Sequence, residues 1–353
     1  MTEHEYQMKL TNIEPTEWIK LNAGTSGFYR MHYSKDMLDS LLQPFSAQQI
    51  SVADRFGLVS DMFALIQSGH MLASEFLRLL KYCCEENEYT VWSAIDGQPT
   101  TLEMPSSGLH KLASLMEHHP DSAIKDLYNG YISSVSSPLK SLVFNQLAKS
   151  GHKLIIDMAL QLFDHHAEEA ILLASDLRAV VFGCVARQND LKKMGSLMRI
   201  YTTCDSVDIQ RECLQAIGQC SDKDLLASIY KYLVEEGHCK SQDIVHLFFG
   251  SQTSKTGQEF SWEYFKCNYR MLIKKFGCLN NSFKQVMKTC ASSLFFSNAA
   301  QDVENFCKSN FDRNQLMDLE STINEITDSL WVNQKLVNTH FHDIAQFLSR
   351  EAS

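Results

Sequence analysis

Apolar residues spaced three and four positions apart recur from Leu139 almost to the C-terminus, and this spacing restricts the fold more than any other feature of the sequence. On an α-helix such residues share one face, which must be buried against another element. The clearest examples are Leu316, Leu319, Ile323, Ile326 and Leu330, followed by Val337, Phe341, Ile344 and Leu348. The sequence therefore predicts a mainly α fold.

The predicted helices follow one another with short polar breaks and without a repeated letter pattern. Serial helix pairs of this kind are typical of an irregular HEAT- or armadillo-like α-solenoid, in which small rotations between pairs curve the stack into a bowl. The alternative is a closed helical bundle, which rarely needs so many helices. We favour the solenoid and expect its concave side to be a binding surface.

The N-terminal stretch has a different periodicity. Apolar residues alternate with polar ones over residues 5–10 and 27–33, and residues 18–22 form a third short apolar run, so we predict three β-strands here. After Ser34 the period becomes helical. A ribbon this small needs a partner to cover its apolar face and pair its edges, and we expect that partner to precede Met1. The predicted division is residues 1–33 and residues 34–353.

Two serines predict helix starts. Ser51 precedes Asp54 by three positions, as in a capping box, and the apolar stripe that follows ends before Gly69. Ser221 stands in the same relation to Asp224. Glycines, prolines and serines between residues 96 and 108 predict an exposed loop.

Composition excludes several classes of function. The formal net charge is -10 and no basic cluster occurs, which argues against nucleic acid as a partner. No apolar run approaches the ~18 residues of a membrane span. The 11 cysteines are scattered and never form a CxxC pair, so we interpret them as reduced thiols in an intracellular compartment.

No catalytic motif is present. His4-Glu5 begins like HExxH, but the fifth residue is Met8, so the second histidine of a zinc-protease helix is missing. His340, His342 and Asp343 are close in sequence, yet positions i and i+2 of a helix point to nearly opposite sides and cannot chelate one ion together. We therefore predict no catalytic residue and no metal ligand in this chain.

Five segments carry a resemblance to a known family. The segments 18–22 (WIKLN) and 24–30 (GTSGFYR) are similar to the strand–turn–strand that closes the β-sandwich of gluzincin (HExxH-zinc) aminopeptidases. The segment 54–65 (DRFGLVSDMFAL) resembles the first long helix of that family's C-terminal helical domain. The segment 87–92 (NEYTVW) is similar to the puromycin-sensitive type, and 175–181 (SDLRAVV) to another helix start of the family.

The resemblance implies that residues 1–33 are a remnant of the β-sandwich domain and residues 34–353 the C-terminal helical domain. The complete enzyme would use zinc to release N-terminal residues from peptides in the cytoplasm. This chain lacks the zinc ligands, so we expect it to hold no cofactor and to be inactive alone. Its implied partners are peptides, bound by the concave helical face, and the missing N-terminal and catalytic domains. The alternative is a non-catalytic, stand-alone α-solenoid that binds proteins or peptides.

Within the resembling segments, Arg178 is the candidate substrate-cavity residue, and the alternative, which we favour, is that it pairs with an acid of the neighbouring helix. Asp54 either completes the capping box or has a further role. Arg55 and Asp61 are candidates for a buried polar link between helices. Asp176 is interpreted as a favourable charge at a helix N-terminus.

Overall fold

The computed structural model describes residues 14, 17–83, 86–96, 137–149, 151–169, 173–277, 279–294 and 298–352. All regular secondary structure in these residues is helical, which confirms the prediction of a mainly α fold. The chain divides into two compact units. The first contains the described residues up to Asp96 and those from His342 onward, and the second contains the described residues from 137 to 341.

In the first unit, four helices follow a short 3₁₀ turn at Ala23–Thr25: α1 (Lys35–Ser46), α2 (Val52–Ser68), α3 (Ala73–Leu80) and α4 (Tyr89–Asp96). Helix α2 is central and packs against α3, α4 and the 3₁₀ turn. It begins and ends as predicted. The Ser51 hydroxyl accepts the Asp54 N–H, and Gly69 closes the helix with a left-handed φ of 80°.

The strands predicted over residues 18–22 and 27–33 are not confirmed, because the structure assigns no strand to either range. Instead, Asn22 and Thr25 adopt positive φ values and the Asn22 side chain accepts the Gly27 N–H, which folds the segment into a tight turn. A strand needs a hydrogen-bonding neighbour, and the described residues contain none. The strand predicted over residues 5–10 and most of the loop predicted from residue 96 lie outside the described residues. The boundary after residue 33 stays a prediction, although α1 does begin at Lys35, with Ser34 as its cap.

The second unit contains a longer series of helices. These are α5 (Ser137–Lys149), α6 (Lys153–Glu169), α7 (Ser175–Arg187), α8 (Leu191–Thr203), α9 (Val207–Ile217), α10 (Lys223–Tyr230), α11 (Ile244–Ser251), α12 (Lys255–Phe276), α13 (Asn281–Ala291), α14 (Ala299–Asn310) and α15 (Arg313–Ala352), which runs on into the first unit. A π-helical turn, Lys231–Glu235, extends α10, and a 3₁₀ turn, Ser241–Asp243, precedes α11. No helix of the described chain is both long and apolar enough to cross a membrane.

Alternate helices of this unit lie side by side. Helices α5, α7, α9, α11 and α13 contact one another in that order. The helices between them pack against this row: α6 against α5 and α7, α8 against α7 and α9, and α12 against α11 and α13. We call the helices α5, α7, α9, α11 and α13 the inner row.

Two glycines set the distance between α9 and α11. A Cβ atom on Gly250 of α11 would lie 2.1 Å from the Gln215 carbonyl oxygen, and one on Gly218 would lie 2.2 Å from the Leu247 carbonyl oxygen. The backbones of the two helices therefore touch where larger residues would hold them apart.

Two sequence predictions require correction. Helix α10 is capped by Asp222, whose carboxylate accepts the Asp224 and Leu225 N–H groups, and not by Ser221. The two last apolar stripes lie on one continuous helix, α15. In its second half Ile344 is buried as predicted, but Phe341 is 63% exposed while Leu336 is buried, so the buried face is partly rotated from the predicted one.

Candidate functional site

The residues singled out in the sequence occupy two places, one in each unit. In the first unit, three of them lie on α2. Asp54 accepts hydrogen bonds from the Ser51 hydroxyl at 2.7 Å and from the Gly24 N–H at 2.7 Å, and Lys20 lies 3.5 Å away. Partial burial acts to raise the pKa of the Asp54 carboxyl, but these hydrogen bonds and the Lys20 charge outweigh it, and the pKa is lowered. Asp54 thus fastens the 3₁₀ turn to the start of α2.

Arg55 makes a fully buried ion pair. Its Nε donates to Glu86 Oε2 at 2.7 Å and its Nη2 to Glu86 Oε1 at 3.0 Å, while Nη1 donates to the Ile50 carbonyl at 2.6 Å. Both side chains are nearly inaccessible, with 3% and 1% exposure. The N–H groups of Asn87 and Glu88 also donate to Glu86. With its charge and hydrogen bonds satisfied, the pair links α2 to the chain that leads into α4.

Asp61 fastens the segment that precedes α1. Its carboxylate accepts from Arg30 Nη1 at 3.1 Å and from the Met31 N–H at 3.2 Å. The Asp61 side chain is 4% exposed, whereas that of Arg30 is 54% exposed. Gly57, one turn earlier on α2, gives the Thr25 side chain room to approach the helix, since a Cβ there would lie 2.2 Å from Thr25 Oγ1. Residues 54–65 of α2 therefore hold the N-terminal stretch against this helix.

In the second unit, charged pairs join neighbouring inner-row helices. Arg178 of α7 donates through Nε to one oxygen of Glu212 on α9 and through Nη2 to the other at 3.2 Å. Arg211 of α9 lies 3.3 Å from the buried carboxylate of Asp243, which precedes α11. The hydrogen bonds to Glu212 raise the pKa of Arg178. We call this set of residues, Arg178, Arg211, Glu212 and Asp243, the charged edge.

Asp176 belongs to the first turn of α7, and its carboxylate accepts a hydrogen bond from Ser175 Oγ at 3.2 Å. Its backbone carbonyl accepts a hydrogen bond from the Ser141 hydroxyl of α5. Side-chain hydrogen bonds and ion pairs thus connect the inner row from α5 to α11.

The C-terminal ends of α7 and α9 are joined by hydrogen bonds that involve no opposite charge. Arg187 donates to Gln219 Oε1, and the Asn189 side-chain oxygen accepts the Ser221 N–H at 2.9 Å and the Asp222 N–H at 3.3 Å. Burial lowers the pKa of the Arg187 guanidinium, although the neighbouring Cys184 acts in the opposite direction. Asn189 also donates to the Ser221 hydroxyl, which explains why Asp222 caps α10 in its place.

Sequence reasoning named Arg55 and Arg178 but not the acids that pair with them. Glu86 and Glu212 lie 31 and 34 positions from their arginines, a separation that no local pattern connects. Arg55 and Asp61 were singled out because they lie in the segment 54–65 that carries the family resemblance.

The described residues do not fit a zinc site. They contain no group of three or more His, Cys, Asp or Glu side chains that could hold a metal ion. Near the end of α15, the Asp343 carboxylate accepts the Ser74 N–H at 2.8 Å, and His342 lies beside Gln346 at 2.8 Å. These groups are occupied within the protein and do not converge on a common point.

The family of the chain follows from its similarity to known sequences. A model of the ERAP1-like C-terminal domain family matches residues 18–330, and the chain therefore belongs to this family.

Individual relatives are aminopeptidases. The puromycin-sensitive aminopeptidase of Caenorhabditis elegans is 29% identical over 365 residues, which cover 99% of this chain and 38% of the relative. Aminopeptidase M1-A of Oryza sativa is 25% identical over 95% of this chain and 39% of the relative. The alanine/arginine aminopeptidase of Saccharomyces cerevisiae is 26% identical over 74% of this chain and 31% of its own length. The chain thus spans less than two fifths of the length of these relatives.

Proposed function

We propose that this chain is the C-terminal helical domain of a cytoplasmic zinc aminopeptidase, where it encloses the active-site cavity and contributes to the access and binding of peptide substrates. The observation that carries the proposal is the family match over residues 18–330. The zinc and its HExxH ligands would come from the part of the relatives that this chain does not span. The cytoplasmic location follows from the scattered cysteines, which suit a reducing compartment.

We further propose that the second unit is an irregular α-solenoid whose inner row lines the concave side. Helices on the concave side of a curved stack must approach one another closely, whereas those on the convex side spread apart. In support, inner-row helices contact directly, down to the glycine contact of Gly218 and Gly250. Between α8 and α10, by contrast, an open groove is lined by Met198, Leu225, Ile229 and Tyr232.

For the site residues, we propose structural roles. Asp54, Arg55 and Asp61 hold the N-terminal stretch on α2, and Asp176 stabilises the first turn of α7. Arg178 was the candidate for peptide contact, but two of its N–H groups are engaged by Glu212. Its proposed role is to hold α7 against α9, so that the inner row presents a fixed surface to the peptide.

The test measures binding of fluorescein-labelled peptides of increasing length to the full chain by fluorescence anisotropy, together with hydrolysis of an aminoacyl reporter. We expect saturable binding that strengthens with peptide length and no reporter hydrolysis with added zinc. Phe249 of α11 is 39% exposed and belongs to the inner row. Its replacement, Phe249→Ala, should weaken binding about fivefold, or ~1 kcal/mol.

The matched control is Leu191→Ala, because Leu191 is also an exposed apolar residue, 73% exposed, but lies on α8. It should leave peptide affinity unchanged. Loss of affinity in the Leu191 variant alone would contradict the assignment of the binding face. Failure of any peptide to bind, together with stable association with a folded protein, would favour the stand-alone interaction module.

A further inference from the structure

A small pocket opens beside the beginnings of α11 and α13. It has a volume of about 360 Å³ and is lined by Lys240, Ser241, Gln242, Lys275, Phe276, Asn280 and Ser282. Three chain segments build it: the 3₁₀ turn before α11, the last turn of α12 and the first turn of α13. We call these seven residues the lysine pocket.

The pocket carries two positive charges that no carboxylate neutralises among the described residues. Neither Lys240 nor Lys275 forms an ion pair there, and the Lys275 ammonium donates instead to the Val234 carbonyl. The nearby carboxylate of Asp243 is already engaged by Arg211 at 3.3 Å.

Both ammonium groups act on the buried thiol of Cys239. Burial raises the pKa of Cys239 to about 11 and the Asp243 charge adds to the rise, while a hydrogen bond with Tyr201 and the charges of Lys275 and Lys240 oppose it. The turn is held in place by backbone hydrogen bonds from the Cys239 N–H to Leu233 and from the Asp243 N–H to Lys240, each 2.9 Å long. Lys240 therefore projects from a turn whose backbone is fixed on both sides, and Lys275 projects from the last turn of α12.

Neutral donors complete the pocket. Ser241 and Ser282 supply hydroxyl groups, and the first turn of α13 has N–H groups without acceptors inside the helix. Asn280 fixes the position of that turn, since its side chain accepts the Phe283 N–H at 3.1 Å and donates to the Phe276 carbonyl at 3.1 Å. The helix dipole adds a partial positive charge at the same point.

These groups favour a compact anion with more than one charge. A carboxylate is best matched by the flat, two-pronged guanidinium of arginine, and the pocket contains none. Lysines act as separate point charges that can approach a tetrahedral anion from two directions. We propose that the lysine pocket binds a phosphate group, either free phosphate or the phosphate of a phosphorylated ligand.

The test is isothermal titration calorimetry of inorganic phosphate into the full chain, in a buffer without phosphate or sulfate. We expect one site per chain that sulfate competes for and chloride does not. Lys240→Gln and Lys275→Gln should each weaken binding about tenfold, as expected for loss of one charge-assisted contact. The matched control is Lys274→Gln, because Lys274 is exposed, lies in the same turn of α12 and does not line the pocket.

Lys275 also holds the Val234 carbonyl, so a melting curve must show that its variant is folded, and Lys240→Gln is the decisive change. A phosphoserine peptide that binds more tightly than inorganic phosphate would identify a phosphorylated ligand, and the reverse order would identify the free ion. The proposal is overturned if phosphate does not bind, if acetate binds equally well, or if Lys274→Gln weakens binding as much as Lys240→Gln.

Discussion

The contact between α9 and α11 predicts that adding a single methyl group at Gly250 will destabilise the protein. In Gly250→Ala the new Cβ would lie 2.1 Å from the Gln215 carbonyl oxygen and 2.9 Å from Gly218 Cα. Both are backbone atoms of the neighbouring helix segment, so no side-chain rotation can relieve the overlap. The two helices would have to move apart, and the buried surfaces around the contact would separate with them.

Two effects of opposite sign determine the magnitude. Alanine is favoured over glycine inside a helix by about 1 kcal/mol. Overpacking a tight interior costs about 1–3 kcal/mol, and a rigid backbone neighbour places this site at the upper end of that range. The net result should be a loss of about 2 kcal/mol.

The control is Gly195→Ala in α8, where a Cβ would meet no heavy atom within 4 Å. Only the higher helix propensity of alanine acts there, so the stability of this variant should rise by as much as ~1 kcal/mol. Urea unfolding of the full-length variants, followed by circular dichroism, measures both changes in the free energy of unfolding, which are compared where the m-values are equal. Equal stabilisation by the two substitutions would refute the argument that the Gly250 contact limits how closely α9 and α11 approach.

Three further outcomes are expected. Arg55→Ala should cost about 3–5 kcal/mol because it leaves the buried carboxylate of Glu86 without an opposite charge. Glu304→Gln, in an exposed pair, should change stability by less than ~0.5 kcal/mol. Urea unfolding compares the two variants, and equal losses would contradict the burial argument. Burial and the charge of a neighbouring arginine lower the pKa of His246, so the unfolded chain binds that proton more readily. Stability should therefore fall as the pH drops through about 6.5, and melting curves of His246→Gln should show a smaller loss on the acid side than the parent. Iodoacetamide should modify the exposed Cys267 long before Cys290, because Cys290 is fully buried and its pKa is raised well above the usual range. Peptide mass mapping measures the order of modification, and the reverse order would contradict the assigned packing.

The sequence by itself determined the helical fold and several helix ends. Ser34, Ser51 and Gly69 act on backbone groups within a few positions of themselves, so their effect is visible in the order of residues alone. The same holds for the first apolar stripe of α15, where Leu319, Ile326 and Leu330 are buried as their spacing predicts. The resembling segment 54–65 likewise lies on a helix, α2, as the resemblance implies.

Only the tertiary structure decided which of two plausible partners each polar group takes. Asn189 is hydrogen-bonded to the hydroxyl and the N–H group of Ser221, and Asp222 therefore caps α10. Arg178 meets Glu212 because α7 and α9 lie side by side, a neighbourhood that residues 34 positions apart do not reveal. Local hydrogen bonds depend on chain neighbours and can be predicted from them, whereas ion pairs, strand pairing and the rotation of a buried face depend on which element packs alongside.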